Sequence, residues 1–300
     1  MAATSTSPEK QMWEDPKVAK SYASAETITG PYAQRLLERT LAPDIKGPGD
    51  KELEVLDLAC GTGIVSAKLM EILSQTATQG VSSPGLNLTC ADFSEAMVEL
   101  ITSRMNTAGW KNTKAVRADA MNTGLPSAEY THMLMNFGPM IVPDWAAALR
   151  EMHRMLRPGG TLGLSSWKEL GWYADVSAAF AQDPELPAFP AADKMSNLMA
   201  VNGHWDDEQW IKETIQGAGF DDVSVEAVPH TTTFPNIDDF FPFMAGTLGF
   251  IAGRYWTEEQ QDKYSDRARA VVQKYMRDKY GHGVITWDWV ALLTTAKKPA

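Results

Sequence analysis

Leu53-Glu54-Val55-Leu56-Asp57-Leu58-Ala59-Cys60-Gly61-Thr62-Gly63-Ile64-Val65-Ser66-Ala67-Lys68-Leu69-Met70 decides how this 300-residue chain is read. A short run rich in Leu and Val breaks at Ala-Cys-Gly-Thr-Gly, and apolar residues resume at Ile64, Val65, Ala67, Leu69 and Ile72. The pattern is strand, tight turn, helix. Small residues in such a turn let the backbone approach a ligand closely, and the free N–H groups of the first helical turn point at it. The dinucleotide fingerprint Gly-x-Gly-x-x-Gly is related to this stretch, but Ser66 stands where its third glycine belongs, which weakens a nicotinamide reading.

Outward from the turn, strands and helices alternate, the order that builds a parallel sheet. Leu86 to Asp92 is a second strand ending on an acid, with Ser94 placed to cap a helix from Met97 to about Gly109. In a doubly wound sheet, an acid at that strand end, beside the glycine turn, is positioned to accept hydrogen bonds from ribose hydroxyls. Thr113 to Ala118 is a third strand that again finishes on an acid, Asp119. Tyr130 to Gly138 reads as a fourth strand with its loop, and Trp145 to Leu156 as a helix stopped by Pro158-Gly159-Gly160 before a fifth strand, Thr161 to Ser166. Beyond Trp167 a mixed apolar segment interrupts the alternation. Asp206 to Ala218 is then helix, Asp222 to Ala227 a sixth strand, and Trp287 to Ala296 a last one. Phe234 to Tyr280 is largely helical and rich in rings, among them Phe240, Phe241, Phe243, Phe250, Tyr255 and Trp256. Upstream, Trp13 to Leu41 reads as two helices around a turn at Thr29-Gly30-Pro31, and Ala42 to Lys51 as a linker. The fold class expected is α/β, a seven-stranded doubly wound sheet with N-terminal helices and helical lid insertions. A disordered tail over 1–12 precedes one domain over 13–300, divided into a helical cap (13–48), a binding core (52–167) and two lids (168–220 and 235–285).

Asp57, Gly61 and Gly63, with Ala59 in place of the first glycine, resemble the Asp/Glu-x-Gly-x-Gly-x-Gly signature of class I S-adenosylmethionine (SAM) methyltransferases. Leu156-Arg157-Pro158-Gly159-Gly160 before an apolar strand resembles a second feature of the same family, at the expected separation. The resemblance covers Val55 to Trp167 closely and the whole chain more loosely. The N-terminal helices and lids look like those of fungal methyltransferases of secondary metabolism, which methylate thiols of epipolythiodioxopiperazines or phenolic and carboxyl oxygens. It implies a Rossmann-like methyltransferase fold, SAM as cofactor and a small-molecule acceptor. Carried over residue by residue, it implies cofactor contacts at Tyr22, Asp57, Ala59, Gly61, Thr62, Gly63, Asp92, Phe93, Met97, Asp119, Ala120 and Asn136. Asp92 would take the ribose hydroxyls, and the Asp119 carboxylate with the Ala120 N–H would take the adenine. Asn136 and Phe137 would face the methyl, and Tyr22 would either bond the amino-acid end or pack on an amphipathic helix. Two departures stand out. Thr131 and His132 occupy the place where many relatives start the fourth strand on aspartate. Asn136-Phe137-Gly138-Pro139 replaces the Asn/Asp-Pro-Pro-aromatic tetrad of many nucleobase and glutamine N-methyltransferases.

Composition narrows the partners. A hydrophobic fraction of 44% with 22% charged residues is that of a soluble globular protein, and a net charge of −11 disfavours binding to nucleic acid. Two cysteines, Cys60 and Cys90, read as small packing residues in a reducing, cytoplasmic setting. No apolar run has the length of a membrane span, and Met1 to Lys10 holds no hydrophobic signal region. The five histidines, His132, His153, His204, His230 and His282, share no helix face, so no metal site is expected. His204 and His230 flank the inserted segments and are candidates for a general base, which a phenol or alcohol acceptor needs more than a thiol does. The expected reaction is methyl transfer from SAM to a thiol, hydroxyl or carboxyl of a small, mostly apolar metabolite. Two other classes stay open: a lyase or pericyclase on the same scaffold, and a non-catalytic SAM-binding partner.

Overall fold

Every residue from Val55 to Leu58 is buried, as in a strand covered on both faces and paired on both edges. The computed structural model describes residues 13–14, 23–46, 52–78, 85–192, 194–195 and 200–300, the side chains at 46, 77, 238–240, 242–243 and 250 excepted. Its sheet runs β3-β2-β1-β4-β5-β7-β6. The strands are β1 (Glu52–Leu58), β2 (Gly85–Asp92), β3 (Thr113–Arg117), β4 (Tyr130–Asn136), β5 (Leu156–Glu169), β6 (Asp221–Phe234) and β7 (Ile285–Lys297). The pairs from β3 through to β5 are parallel, and β7 lies antiparallel between β5 and β6. The order reverses between β1 and β4, which opens a crevice at the carboxyl ends of those two strands. The expected seven-stranded α/β sheet is therefore present. The tail over 1–12, Tyr22, and the rings of Phe240, Phe243 and Phe250 lie outside what is described.

Two expectations near the N-terminus need correcting. The turn placed at Thr29-Gly30-Pro31 is the interior of one helix, α1 (Glu26–Thr40), and the first half of the linker is a short helix, α2 (Ala42–Lys46). A proline inside a helix costs about 3 kcal/mol. Against that, Ile28, Tyr32, Ala33, Leu36 and Leu37 are each 1% exposed or less. Burial of one large apolar side chain contributes roughly 1.5–3 kcal/mol, so the face outweighs the proline. α1 crosses the sheet beside α3 (Ile64–Thr78), and a Cβ on Gly30 would already stand 3.5 Å from Ile64.

Elsewhere the punctuation behaves as its chemistry dictates. Ser94 caps α4 (Glu95–Ala108) by accepting from the Met97 N–H, and Gly109 closes it in a left-handed conformation. α5 (Trp145–Met155) ends directly into β5. The region after β5 holds α6 (Tyr173–Phe180) and α7 (Glu208–Gly217). Between β6 and β7 stand α8 (Ile237–Tyr255) and α9 (Glu258–Tyr280), separated by a capping box at Thr257 and Gln260. β6 and β7 pair from Asp221 opposite Lys297 to Phe234 opposite Ile285, so α8 and α9 leave and rejoin the sheet at its carboxyl edge. Asp175 ties these insertions to the sheet. Its buried carboxylate accepts from Trp287 Nε1 (2.8 Å) and Tyr280 Oη (2.7 Å) and pairs with Lys279. Burial alone would push Asp175 up, but these donors hold it below the usual carboxylate range. Among the described residues, no helix is long and apolar enough to cross a membrane.

The turn after β1 is braced from beneath. Asp57 Oδ2 accepts from Ser66 Oγ (2.7 Å) and Ser66 N (3.2 Å), and Ser66 Oγ also meets Cys90 Sγ at 2.9 Å. Ser66, the residue that breaks the dinucleotide fingerprint, is thus the donor that Asp57 requires. Gly63 holds φ +82°, and a Cβ there would stand 1.9 Å from Ile101 Cδ1. Burial raises Asp57 to about 7, opposed by the Ser66 bonds and reinforced by nearby Asp92. An unfolded aspartate ionises near pH 4, about three units lower. Between those values the folded chain keeps a proton that the unfolded chain has lost, so this group's contribution to stability declines as pH rises from about 4 to about 7. Asp57→Asn should remove that decline. Thermal unfolding from pH 4.5 to 7.5 should show wild type losing stability relative to the variant across the window; parallel profiles would refute the brace as described.

Candidate active site

The crevice at the β1/β4 switch is lined by Trp13, Ala59, Phe93, Ala118, Asp119, Ala120, Ile141, Val142 and Pro143. Four of the expected residues, Ala59, Phe93, Asp119 and Ala120, therefore share one cleft. Asp92 lies beside it at the tip of β2, 6% exposed, with Oδ2 accepting from Gly61 N (2.9 Å) and Oδ1 from Ser94 N (3.0 Å). Burial pushes its carboxyl up, and the Ser94 and Gly61 N–H groups pull it back. Asp119 Oδ1 accepts from Met121 N (3.0 Å), which holds the acid at the mouth of the turn after β3. The fit to an adenosine group is physical. Small and apolar side chains flank a slot that suits a flat ring, and the polar atoms sit at strand tips where hydroxyls and an exocyclic amine need acceptors.

Other expected residues stand around this cleft rather than in its wall. Asp57 is buried behind the turn on Ser66. Thr62 commits its hydroxyl to Glu26 Oε1 (2.5 Å), and Arg104 clamps both partners through the Thr62 carbonyl and Glu26 Oε2, each at 2.8 Å. Met97 is buried in the first turn of α4. Asn136 is oriented by Ser165, whose Oγ donates to Asn136 Oδ1 (2.7 Å) and accepts from Phe137 N (2.9 Å). Trp13 was not anticipated as a wall of the cleft. Ser94 Oγ donates to its carbonyl (2.7 Å), and Glu14 pairs with Arg117 (2.6 Å), which straps the segment over the tips of β2 and β3. Nothing local in the sequence marks such contacts, since the partners are 81 and 103 positions apart.

A second group of residues adjoins the cleft through the tip of β4. Gly138 packs so closely there that an added Cβ would stand 2.4 Å from Met135 Cγ and 3.2 Å from Ala59 Cβ. Phe137, at φ +58°, stacks on Trp167 with centroids 3.9 Å apart. Tyr32 of α1 meets both rings edge-on at 5.7 and 5.5 Å, His230 of β6 meets Tyr32 at 5.8 Å, and Trp289 of β7 leans on Trp167 at 5.2 Å. His230 is half-buried, and burial together with the Arg35 charge lowers its pKa, so the imidazole is neutral at pH 7. His204, the other candidate base, is exposed and packs on Trp210, in a separate cluster with Trp145 and Trp205. Among the described residues, no three His, Cys, Asp or Glu side chains gather to hold a metal ion.

Residues 55–160 match the methyltransferase domain family. The chain is 32% identical to the methyltransferase tpcH of Aspergillus fumigatus over 97% of its own length and 99% of that protein. It is 34% identical to the methyltransferase ktnA of Aspergillus niger over all of both, and 32% identical to the acetylaranotin bis-thiomethyltransferase of Aspergillus terreus over 94% of each. Among solved structures, phosphoethanolamine N-methyltransferase 2 of Haemonchus contortus, in complex with SAM, superimposes with a TM-score of 0.56 at 14% identity over 99% of this chain and 61% of that one. The [4+2]-cyclase SpnF does so at 0.51 and 17% over 90% and 82%, and at such identities both speak to the fold alone. An end-to-end match at a third identity, carried on this strand order, makes the chain a member of the class I SAM-dependent methyltransferases.

Proposed function

We propose that the protein methylates a thiol or hydroxyl of a small, mostly apolar secondary metabolite, held among Tyr32, Phe137, Trp167 and His230. The observation that carries this reading is the shared wall at the β4 tip. Gly138 packs against Ala59 on the cofactor side, and Phe137 stacks into the aromatic cluster on the other. In this reading Asp92 receives the ribose hydroxyls, Asp119 and the Ala120 N–H receive the adenine, and Trp13 with Ile141 to Pro143 covers the ring. Bound SAM supplies a methyl already attached to a good leaving group. The chain's own task is to align the acceptor and exclude water, which the rings do, and to receive a proton. Neutral His230 is suited to that last role. A thiol is partly ionised near neutral pH and leans on the base less than a phenol does. Similarity to the Aspergillus terreus bis-thiomethyltransferase supports sulfur as the acceptor atom.

Three measurements test the reading. Asp92→Ala should weaken S-adenosylhomocysteine in isothermal titration by about tenfold or more, because it strands two ribose hydroxyls; an unchanged affinity would remove the cofactor assignment. Methyl-labelled SAM offered with 2-naphthalenethiol and with 2-naphthol should label the thiol product faster, whereas unlabelled rearrangement products would speak for different chemistry. The rate with 2-naphthol should fall as pH drops through the His230 pKa, below the ordinary histidine value. The charge that reaches His230 is that of Arg35 on α1, Glu226 of β6 being tied to Arg39 and Asp288 of β7 to Thr231. His230→Gln should lower the naphthol rate by roughly 10²-fold and abolish this acid limb, and a variant that keeps the same limb would exclude His230 as the base.

A further inference from the structure

The aromatic cluster holds a polar atom that the reaction described above does not use. Tyr32 is 0% exposed, and its hydroxyl has no hydrogen-bond partner among the described residues. Other buried hydroxyls in the same layer are satisfied: Thr29 and Thr40 bond carbonyls one turn back in α1, and Ser165 and Ser166 are both paired. Native interiors rarely leave such a group without a partner, and one that does so calls for an explanation. The orphan is also not isolated. Thr232 Oγ1 is buried and unpartnered as well, two residues beyond His230 on β6 and so on the same side of that strand. The ring of Tyr32, from α1, already meets Phe137, Trp167 and His230 edge-on. The His230 imidazole thus meets the ring of one residue whose buried hydroxyl wants a partner and lies on the same side of β6 as a second such hydroxyl.

Resting on the methyl-transfer reading, we infer that Tyr32 is a catalytic residue whose hydroxyl hydrogen-bonds the acceptor's reacting sulfur or oxygen, with Thr232 holding a second polar atom of the same acceptor. In the transfer, the S–H or O–H proton passes to the His230 imidazole. A lone pair of the acceptor atom forms the new bond to the methyl carbon. The carbon–sulfonium bond breaks with its pair remaining on sulfur, and the imidazolium later yields its proton to solvent. The Tyr32 hydroxyl donates to the acceptor throughout and aims its lone pair along the line of attack. Burial pushes the Tyr32 phenol upward against the opposing charge of Arg35, which keeps it a donor. The acceptor this implies is an aryl or similarly flat apolar molecule bearing a thiol or hydroxyl and a second hydrogen-bonding group at some distance from it.

Tyr32→Phe removes the oxygen alone. With 2-naphthalenethiol and 2-naphthol as probes, kcat should fall at least tenfold, while S-adenosylhomocysteine affinity stays unchanged and the melting temperature stays level or rises. A merely structural tyrosine would give the opposite split, with stability lost and kcat retained. In a His230→Gln background the same substitution should cost less than it does alone, since both act on the same acceptor atom. Turnover of Tyr32→Phe within twofold of wild type overturns the assignment. Calorimetric binding of 2-naphthol to the S-adenosylhomocysteine complex serves where neither probe is turned over. A Tyr32→Phe affinity at least fivefold weaker upholds the contact even as the methyl-transfer reading fails, and equal affinities, or no binding to wild type, overturn the contact itself.

Discussion

Two buried carboxylates hold one turn, and the site on either side depends on where they put it. Asp57 grips Ser66 through both its N–H and its hydroxyl, and Asp92 accepts from the Gly61 N–H. The first anchors the start of α3 to the end of β1, and the second anchors the bend to the end of β2. Ala59, Gly61 and Gly63 are all at positive φ, so the bend has no regular ladder to rest on and its conformation is set by these side-chain bonds. Burial raises both acids, and the charge of Asp92 raises Asp57 further, a tension relieved when Asp57 keeps its proton. Anionic strength at this edge is thereby concentrated in Asp92, the carboxylate beside the cleft.

The sheet was legible in the sequence because its parallel strands are short, apolar and ended by turn residues. β1, β2 and β4 were placed to within a residue or two. The antiparallel half was harder. β6 extends through Pro229 to Phe234, where a Thr-rich run follows the apolar alternation, and only pairing with β7 makes that run a strand. α1 was misread for a related reason. Gly30 and Pro31 are local breaking signals, and they are overruled by a buried face whose partners lie on β4, β5 and α3. Local chemistry predicts local structure, and a helix stabilised by tertiary burial escapes it.

Much the same division applies to the site. Ala59, Phe93, Asp119 and Ala120 were legible through the family resemblance, and each lies within three residues of a strand end, where a doubly wound sheet converges. Trp13, Glu26 with Arg104, and Tyr32 were not, because each reaches its partners from an element far away in the chain. Tyr32 lies on the buried face of α1, and nothing in its spacing distinguishes a hydroxyl that is bonded from one that is not. Trp167 and Trp289 fared similarly: they lie on β5 and β7, whose faces are defined only after β7 is inserted between β5 and β6.

The two halves of the site are built from different parts of the sheet. The crevice rests on tips of the parallel strands β1 to β3, whose spacing is set by the ladder itself. The aromatic side rests on β5, β6 and β7, with α1 across them, and its shape follows the insertions that Asp175 ties down through Tyr280 and Trp287. Asn136, Phe137 and Gly138 belong to both halves. Ser165 fixes Asn136 and the Phe137 N–H at once, Phe137 stacks toward the rings, and Gly138 presses on Ala59. A displacement of β4 by the thickness of one methyl group would therefore shift the cofactor bend and the ring stack relative to each other. In-line transfer tolerates little such error, and this places a close steric demand on the three residues at the tip of β4.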